Sequence, residues 1–355
     1  MHVAIDAELI GRDRSGNETY LTEMVMAMQR VAQPSDNFSL VGPRSPALER
    51  LAGAGARVIE HRRGLAGDLT LGLRMRGTGA SVALATYNAP LWFGGARATI
   101  VHDVAFRRVP ETFPSMLRRR IELSVARSVR VSDLVVTVSD FSRDELCTVF
   151  PRLDSSRVVV TYEAAADVFS APVEDDESER VRRAYDLPDR FALAVGNVQP
   201  RKNLLRLMEA ARKVGVPLVA VGQQGWLSRD GLASELASGA RWLGWVPTAD
   251  LAVLYRLCSV FAYPSLYEGF GLPVVEAMAA GAIVVTSRST ALAEIAGDGA
   301  ILVDPTSTDA IADGLAAALN GAGNDWRAAA RTRAATFSWD DSARRLLSAL
   351  RTLDG

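Results

Sequence analysis

Short apolar, β-branched runs recur along this chain and alternate with stretches of helical periodicity, a pattern that points to an α/β fold with parallel sheets covered on both faces. His2–Ala7, Phe38–Val41, Arg57–Ile59, Val82–Ala85, Thr99–Val101, Leu134–Val138 and Val158–Val160 read as one series of strands. Phe191–Val195, Leu218–Val221, Arg241–Leu243, Val260–Ala262, Ile283–Val285 and Ile301–Val303 read as a second series. Parallel neighbours require a crossover connection, and the helical stretches between the runs supply it. At 355 residues the chain exceeds the usual size of one core, so two doubly wound, Rossmann-like domains are expected. The polar, acidic, proline-containing segment from Phe169 to Glu179 puts their boundary near Ser170, giving domains 1–170 and 171–336. Residues 337–355 hold a last helix, capped at Ser338 and running through Leu350. Sheets of this kind bind ligands beyond the carboxyl ends of their strands, so the expected site is the cleft where two such domains face each other.

Charge and composition remove several functional classes. Hydrophobic residues make up 48% and the formal net charge is −1, as in an ordinary folded domain. Divided at Ser170, the halves carry 21 basic and 19 acidic residues against 19 and 22, net +2 and −3, so no nucleic-acid partner is predicted. Cys147 and Cys258 are far apart and indicate neither a disulfide framework nor a metal cluster. The start of the chain is already a strand pattern with no export signal, and no apolar run reaches the roughly 18 residues of a membrane span. A cytoplasmic protein is expected.

The densest chemistry lies in Pro264-Ser265-Leu266-Tyr267-Glu268-Gly269-Phe270-Gly271-Leu272-Pro273-Val274-Val275-Glu276-Ala277-Met278, just after the strand Val260–Ala262. Pro273 suits the first turn of a helix, so Glu268 falls in the loop and Glu276 on the helix. Gly269 and Gly271 permit close backbone approach, and the amides of Gly269, Phe270, Gly271 and Leu272 then become candidate donors to an anionic ligand such as a nucleotide diphosphate. The plain alternative is a strand-to-helix turn with two solvated glutamates.

A second strand ends in Gly196-Asn197-Val198-Gln199-Pro200-Arg201-Lys202-Asn203 before the helix Leu204–Val214. Two cations at a helix start are unfavourable against the helix dipole unless an anion joins them. Arg201 can chelate phosphate bidentately and Lys202, one of only two lysines, supplies a compact charge. In the first half, Gly16 lies in the turn Gly11–Tyr20 and could let backbone approach a phosphate, although the spacing is not that of a dinucleotide fingerprint. His102 follows the strand Thr99–Val101, where it could bond a sugar hydroxyl or serve as a satisfied structural histidine. The stretch Arg107–Arg130 is basic with interspersed apolar residues, so it reads either as a solvated helix face or as a peripheral contact with anionic lipid on the inner face of a membrane.

With these residues in view, the chain resembles the large retaining glycosyltransferase family of GT-B fold, family 4, whose mark is two glutamates separated by seven residues. The likeness runs over Gly196–Asn203, Leu243–Val246, Leu251–Cys258, Pro264–Met278 and Glu294–Pro305. It implies that Glu268 and the Gly269–Leu272 backbone hold the transferred sugar, Glu276 the ribose, and Arg201 and Lys202 the diphosphate, with no metal or other cofactor. His102 is similar to the family's histidine near the sugar, and Gly16 to its first-domain phosphate loop. Tyr20 is kept from a common arginine–tyrosine pair, whereas Glu18 and Thr19 differ. The last helix resembles the segment that returns to the first domain. The implied activity is metal-independent transfer of a hexose, mannose first, from GDP-mannose or a UDP-sugar to a hydroxyl of a glycan or lipid-linked acceptor. A sugar-nucleotide epimerase of the same fold and a non-catalytic nucleotide-sugar-binding protein are the alternatives.

Overall fold

The structure, a computed structural model, describes residues 1–11, 16–53, 55–61, 67–223, 239–321 and 323–354. The chain divides into two compact units, Met1–Glu163 with Ser338–Gly355, and Ala164–Phe337. The division falls earlier than the acidic segment suggested because Phe169 already packs its ring against Tyr255 of the second unit, centroids 5.8 Å apart. The acidic stretch itself is largely helical, in Asp167–Ser170 and Asp175–Ala184. Asp175, Asp176 and Glu177 crowd the first turn of the latter helix, where the dipole favours negative charge.

The first unit holds strands β1 (His2–Asp6), β2 (Asn37–Gly42), β3 (Ala56–Glu60), β4 (Val82–Thr86), β5 (Ala96–Ile100), β6 (Leu134–Thr137) and β7 (Val158–Val160), in the sheet order β3-β2-β1-β4-β5-β6-β7. The second holds β8 (Ala192–Val195), β9 (Leu218–Val221), β10 (Arg241–Trp242), β11 (Val260–Tyr263), β12 (Val284–Ser287) and β13 (Ile301–Val303), in the order β10-β9-β8-β11-β12-β13. Every described strand pair is parallel. Both sheets therefore start at a central strand, grow outward to one edge, and then return to grow toward the other. The switch points lie between β1 and β4 and between β8 and β11, where the loops beyond neighbouring strands part and leave room for a ligand.

Burial on both faces explains the near-continuous apolar runs. In the second unit Ala192, Ala194, Val260, Ala262 and Val285 share one core with Leu207, Ala211, Ile311 and Leu315 from the helices Leu204–Lys213 and Thr308–Asn320. The alternate residues Leu193, Phe261 and Val284 are buried as well, so the opposite face is covered too. In the first unit Ala4, Val41 and Ala83 pack with Leu71, Met75 and Phe93. The last helix, Trp339–Asp354, belongs to this first unit: Trp339 meets Tyr20 edge-on at 5.7 Å, and Asp340 accepts from Arg30 at 2.6 Å.

Candidate functional site

The second unit's switch point is flanked by the loops after β8 and β11, the two loops that carry the cations and the paired glutamates. Gly196 ends β8 with φ 141°, and the Lys202 side chain passes 3.5 Å from where a Cβ would sit. Pro200–Lys202 forms one 3-10 turn, closed by Asn203 in a left-handed conformation with φ 60°. That strained residue is fixed by its amide, which donates to the carbonyls of Pro264 at 3.0 Å and Pro305 at 2.6 Å. Leu266 N donates to the Arg201 carbonyl at 2.7 Å, so the two loops are stitched together by backbone and side chain. Beyond them the helix Leu272–Ala279 opens at Gly271, φ 102°, with no side-chain cap on its first amides. A Cβ at Gly271 would drive into the Leu292 side chain, so only glycine fits.

Glu268 is at the centre of this arrangement, 6% exposed. Its Oε2 accepts from Arg201 Nη1 at 2.7 Å, and its Oε1 accepts from Lys202 Nζ at 2.7 Å and from the Tyr263 hydroxyl at 3.2 Å. Lys202 also donates to the Tyr263 hydroxyl and lies 4.7 Å from the centre of that ring. Arg201 is held by Gln199 Oε1 at 2.9 Å and the Tyr267 carbonyl at 3.1 Å. Burial alone would raise the Glu268 pKa, yet the charges of Arg201 and Lys202 override it and bring it down to about 2. The cations at the helix start thus have their anion without a ligand: it is Glu268 itself. Sequence reading gave the carboxylate to the sugar and the cations to the phosphates as separate tasks, whereas here all three are interlocked.

Glu276 is also buried and accepts from the Tyr255 hydroxyl at 3.0 Å. Burial first, and then the negative charge of Glu276, hold the Tyr255 pKa well above its ordinary value, so this phenol remains a donor. Phe270 is 3% exposed, with its ring edge-on to Phe337 at 5.8 Å, and Leu272 is buried. Their side chains serve packing, which leaves the backbone as the part able to meet a ligand.

The first unit places His102 just past β5, 6% exposed. Tyr20 stands edge-on to its ring at 4.8 Å and Tyr87 is tilted at 5.8 Å. Glu163 Oε1 is 3.7 Å from Nδ1, while Nε2 is buried with no hydrogen-bond partner among the described residues. Gly16 opens the helix Gly16–Val31 and is exposed, with open space where its Cβ would be. Residues 12–15 of its turn lie outside the described residues. Sequence reasoning missed Tyr263, Tyr255, Asn203 and Glu163. Tyr263 offered a usable signal, since it ends a strand at the switch point and directly precedes the glutamate loop. The others act only through long-range contacts.

The model of the Glycosyl transferases group 1 family matches residues 175–335, which span both loops and both glutamates. The chain is 35% identical over 271 residues to the O-antigen chain mannosyltransferase B of Escherichia coli, covering 72% of this chain and 70% of that protein. It is 30% identical over 229 residues to the serotype-specific mannosyltransferase WbdA of Escherichia coli, spanning 60% of this chain but only 28% of that longer protein. Among solved structures it is similar to HepE of Anabaena, crystallised with UDP and glucose, at a TM-score of 0.77 and 18% identity over 99% of this chain and 100% of that one. Two parallel-sheet units of this topology constitute the GT-B fold.

Proposed function

The chain belongs to the glycosyl transferases group 1 family, and from that premise we propose that it moves a hexose, mannose in the first instance, from a nucleotide-diphosphate sugar to a hydroxyl of a glycan or lipid-linked acceptor, retaining the anomeric configuration. The observation that carries this reading is the Glu268–Arg201–Lys202 cluster at the switch point beside the uncapped helix start. It is an anion site already occupied by an internal carboxylate. An incoming diphosphate takes over the two cations, and Glu268 turns to accept hydroxyls of the sugar. Glu276 accepts the ribose hydroxyls.

In the reaction the bond from the anomeric carbon to the phosphate oxygen breaks, and the acceptor oxygen bonds the same carbon on the same face. The acceptor proton passes to the departing phosphate oxygen. Negative charge grows on that oxygen as it leaves, and Arg201 and Lys202 supply the compensating charge in a poorly solvated site. In this proposal they perform the task that a divalent ion performs elsewhere, and no metal takes part. The second unit is the donor-binding domain and the first the acceptor-side domain. His102 bonds a substrate hydroxyl there, and the Gly16 turn approaches a phosphate.

The relative that is a mannosyltransferase supports mannose, and GDP-mannose is the first donor to test. Purified protein is screened by thermal shift against GDP-mannose and UDP-sugars, followed by product analysis with and without acceptor and with a chelator. Donor at about 100 times its Kd adds about 2.7 kcal/mol of stability. Selective stabilisation by GDP-mannose, an α-linked product and indifference to chelator are expected. A UDP-sugar preference overturns the donor assignment, and an epimerised sugar nucleotide formed without acceptor overturns the transferase.

We also propose a cytoplasmic protein in peripheral contact with a membrane through the helix Ser115–Val131. Met116 and Leu123 are 85% and 71% exposed on it, beside exposed Arg119, Arg120 and Arg130. Leu123 and Arg120 border a cavity of about 300 Å³ whose wall includes Leu71, Pro90 and Leu91. Apolar side chains ringed by arginine suit an anionic lipid surface. Co-sedimentation with phosphatidylglycerol vesicles, abolished by Leu123→Ser with Arg120→Glu, is the expected result; equal binding to neutral vesicles refutes the electrostatic part.

A further inference from the structure

Tyr20, Tyr87 and Glu163 of the first unit stand around the His102 ring. Tyr20 and Tyr87 present ring surfaces to it, while the Tyr20 hydroxyl is directed away to Thr161 Oγ1 at 2.6 Å. Glu163 stands 3.7 Å from Nδ1 and is 6% exposed. Its backbone is pinned on the amino-terminal side. Thr161 N donates to the Thr137 carbonyl at 2.8 Å, and Ser342 Oγ of the returning helix donates to the Tyr162 carbonyl at 2.6 Å. On the far side of the ring Nε2 is buried and has no hydrogen-bond partner among the described residues, a costly state unless something arrives to meet it.

An ionised carboxylate only accepts, so it favours a proton on the imidazole nitrogen that faces it, and the other nitrogen is then left with its lone pair. We propose that Glu163 is a positioning residue that keeps the His102 proton on Nδ1 and so presents Nε2 to the substrate as a hydrogen-bond acceptor. With its proton on Nδ1, His102 takes a hydrogen bond on Nε2 from a hydroxyl of the substrate. This role rests on the reading of His102 as a substrate contact given above. The backbone just before Glu163 is held by the Thr137 carbonyl and by Ser342, so the end of β7 and the carboxyl-terminal helix together place the residue.

The chain contains three histidines, which makes ring-nitrogen NMR on uniformly ¹⁵N-labelled protein tractable, with His102→Phe assigning the signals. In the parent protein the lone ring proton of neutral-form His102 is expected on Nδ1. In Glu163→Leu the proton is expected to move to Nε2, the site an unsupported imidazole prefers, with turnover falling about tenfold while donor KM stays within about threefold. Glu163→Gln, which keeps size and polarity, provides a folded comparison if the Leu variant fails to fold, and it too is expected to lose the fixed Nδ1 proton. A parent ring protonated on Nε2, or a tautomer unchanged in either variant, overturns the proposal. Full turnover in His102→Asn, with the parent tautomer on Nδ1, instead refutes the substrate contact and leaves the Glu163 assignment standing.

Discussion

The Glu268 cluster and the His102 pocket are both buried, both polar and both at the carboxyl ends of parallel strands, yet they differ in how their polar atoms are satisfied. Around Glu268 each carboxylate oxygen has a cation on it, and a tyrosine adds a further hydrogen bond. Around His102 one nitrogen faces a carboxylate at 3.7 Å and the other has no hydrogen-bond partner among the described residues. The first site is closed on itself, and under the proposed function it is opened by exchange, one anion for another. The second waits with an unmet group. A ligand of the first site competes with internal partners, and its net affinity is the difference between two charge-assisted sets of bonds. A ligand of the second gains its hydrogen bond against an unsatisfied nitrogen.

The sharpest way to break this contrast is Glu268→Gln. The change removes the internal anion while keeping the shape, so two cations are left close together in a buried place. Loss of one partner from a buried pair costs about 3–5 kcal/mol of stability, read from urea unfolding. Turnover is expected to fall by about 100-fold or more, in line with removal of a group that orients the reacting sugar. Free nucleoside diphosphate is expected to bind at least as tightly as to the parent, by calorimetry. Weaker diphosphate binding by this variant would show that Arg201 and Lys202 are not the groups it meets.

Acid sharpens the same point with a smaller effect. Glu268 has a folded pKa of about 2 against an ordinary value of 4.5, so the native state favours the ionised form. Its contribution to stability is fully present above about pH 4.5 and is lost as pH falls toward 2. The full shift corresponds to about 3 kcal/mol, of which about 2 kcal/mol is expected to be lost between pH 5 and pH 2.5, read from unfolding free energies. Glu268→Gln is expected to lose this part of the pH dependence, and an unchanged profile in the variant would place the acid sensitivity elsewhere.

The smallest effect is expected at Tyr255→Phe, which removes the hydroxyl on Glu276 and nothing else. Loss of this bond is expected to cost about 1 kcal/mol of stability and to weaken free GDP or UDP by less than tenfold. Glu276→Ala is expected to weaken nucleotide binding further while sparing the Glu268 cluster. Equal affinity in both variants would remove Glu276 from the nucleotide site.

Strand positions were legible because their signal is local. Val158–Val160, Leu218–Val221 and Ile301–Val303 fall where their β-branched runs begin and end. Thr99–Val101, by contrast, is displaced to Ala96–Ile100, since Arg97 and Ala98 carry no β-branched signal and are drawn in by pairing with Ala83 and Leu84 of β4. The helix after the glutamate loop was readable from Gly271 and Pro273, whose backbone preferences act on the spot. Arg201, Lys202 and Glu268 were identifiable as candidate site residues from their places after strands, but their mutual bonds were not, because 66 or 67 positions separate the partners. Glu163 carried no local signal at all.

The sequence by itself determined two parallel α/β arrays, the loops that carry the charged groups and the family to which they belong, because hydrophobic period, turn chemistry and motif spacing are properties of neighbouring residues. Only the tertiary structure decided that the strand order of the second sheet reverses between β8 and β11, so that the cation loop and the glutamate loop meet and Glu268 neutralises Arg201 and Lys202. The same holds for Glu163, which reaches His102 through the order of β5, β6 and β7. Electrostatic energy depends on distance in space and on burial, and strand order, which brings remote segments side by side, fixes both.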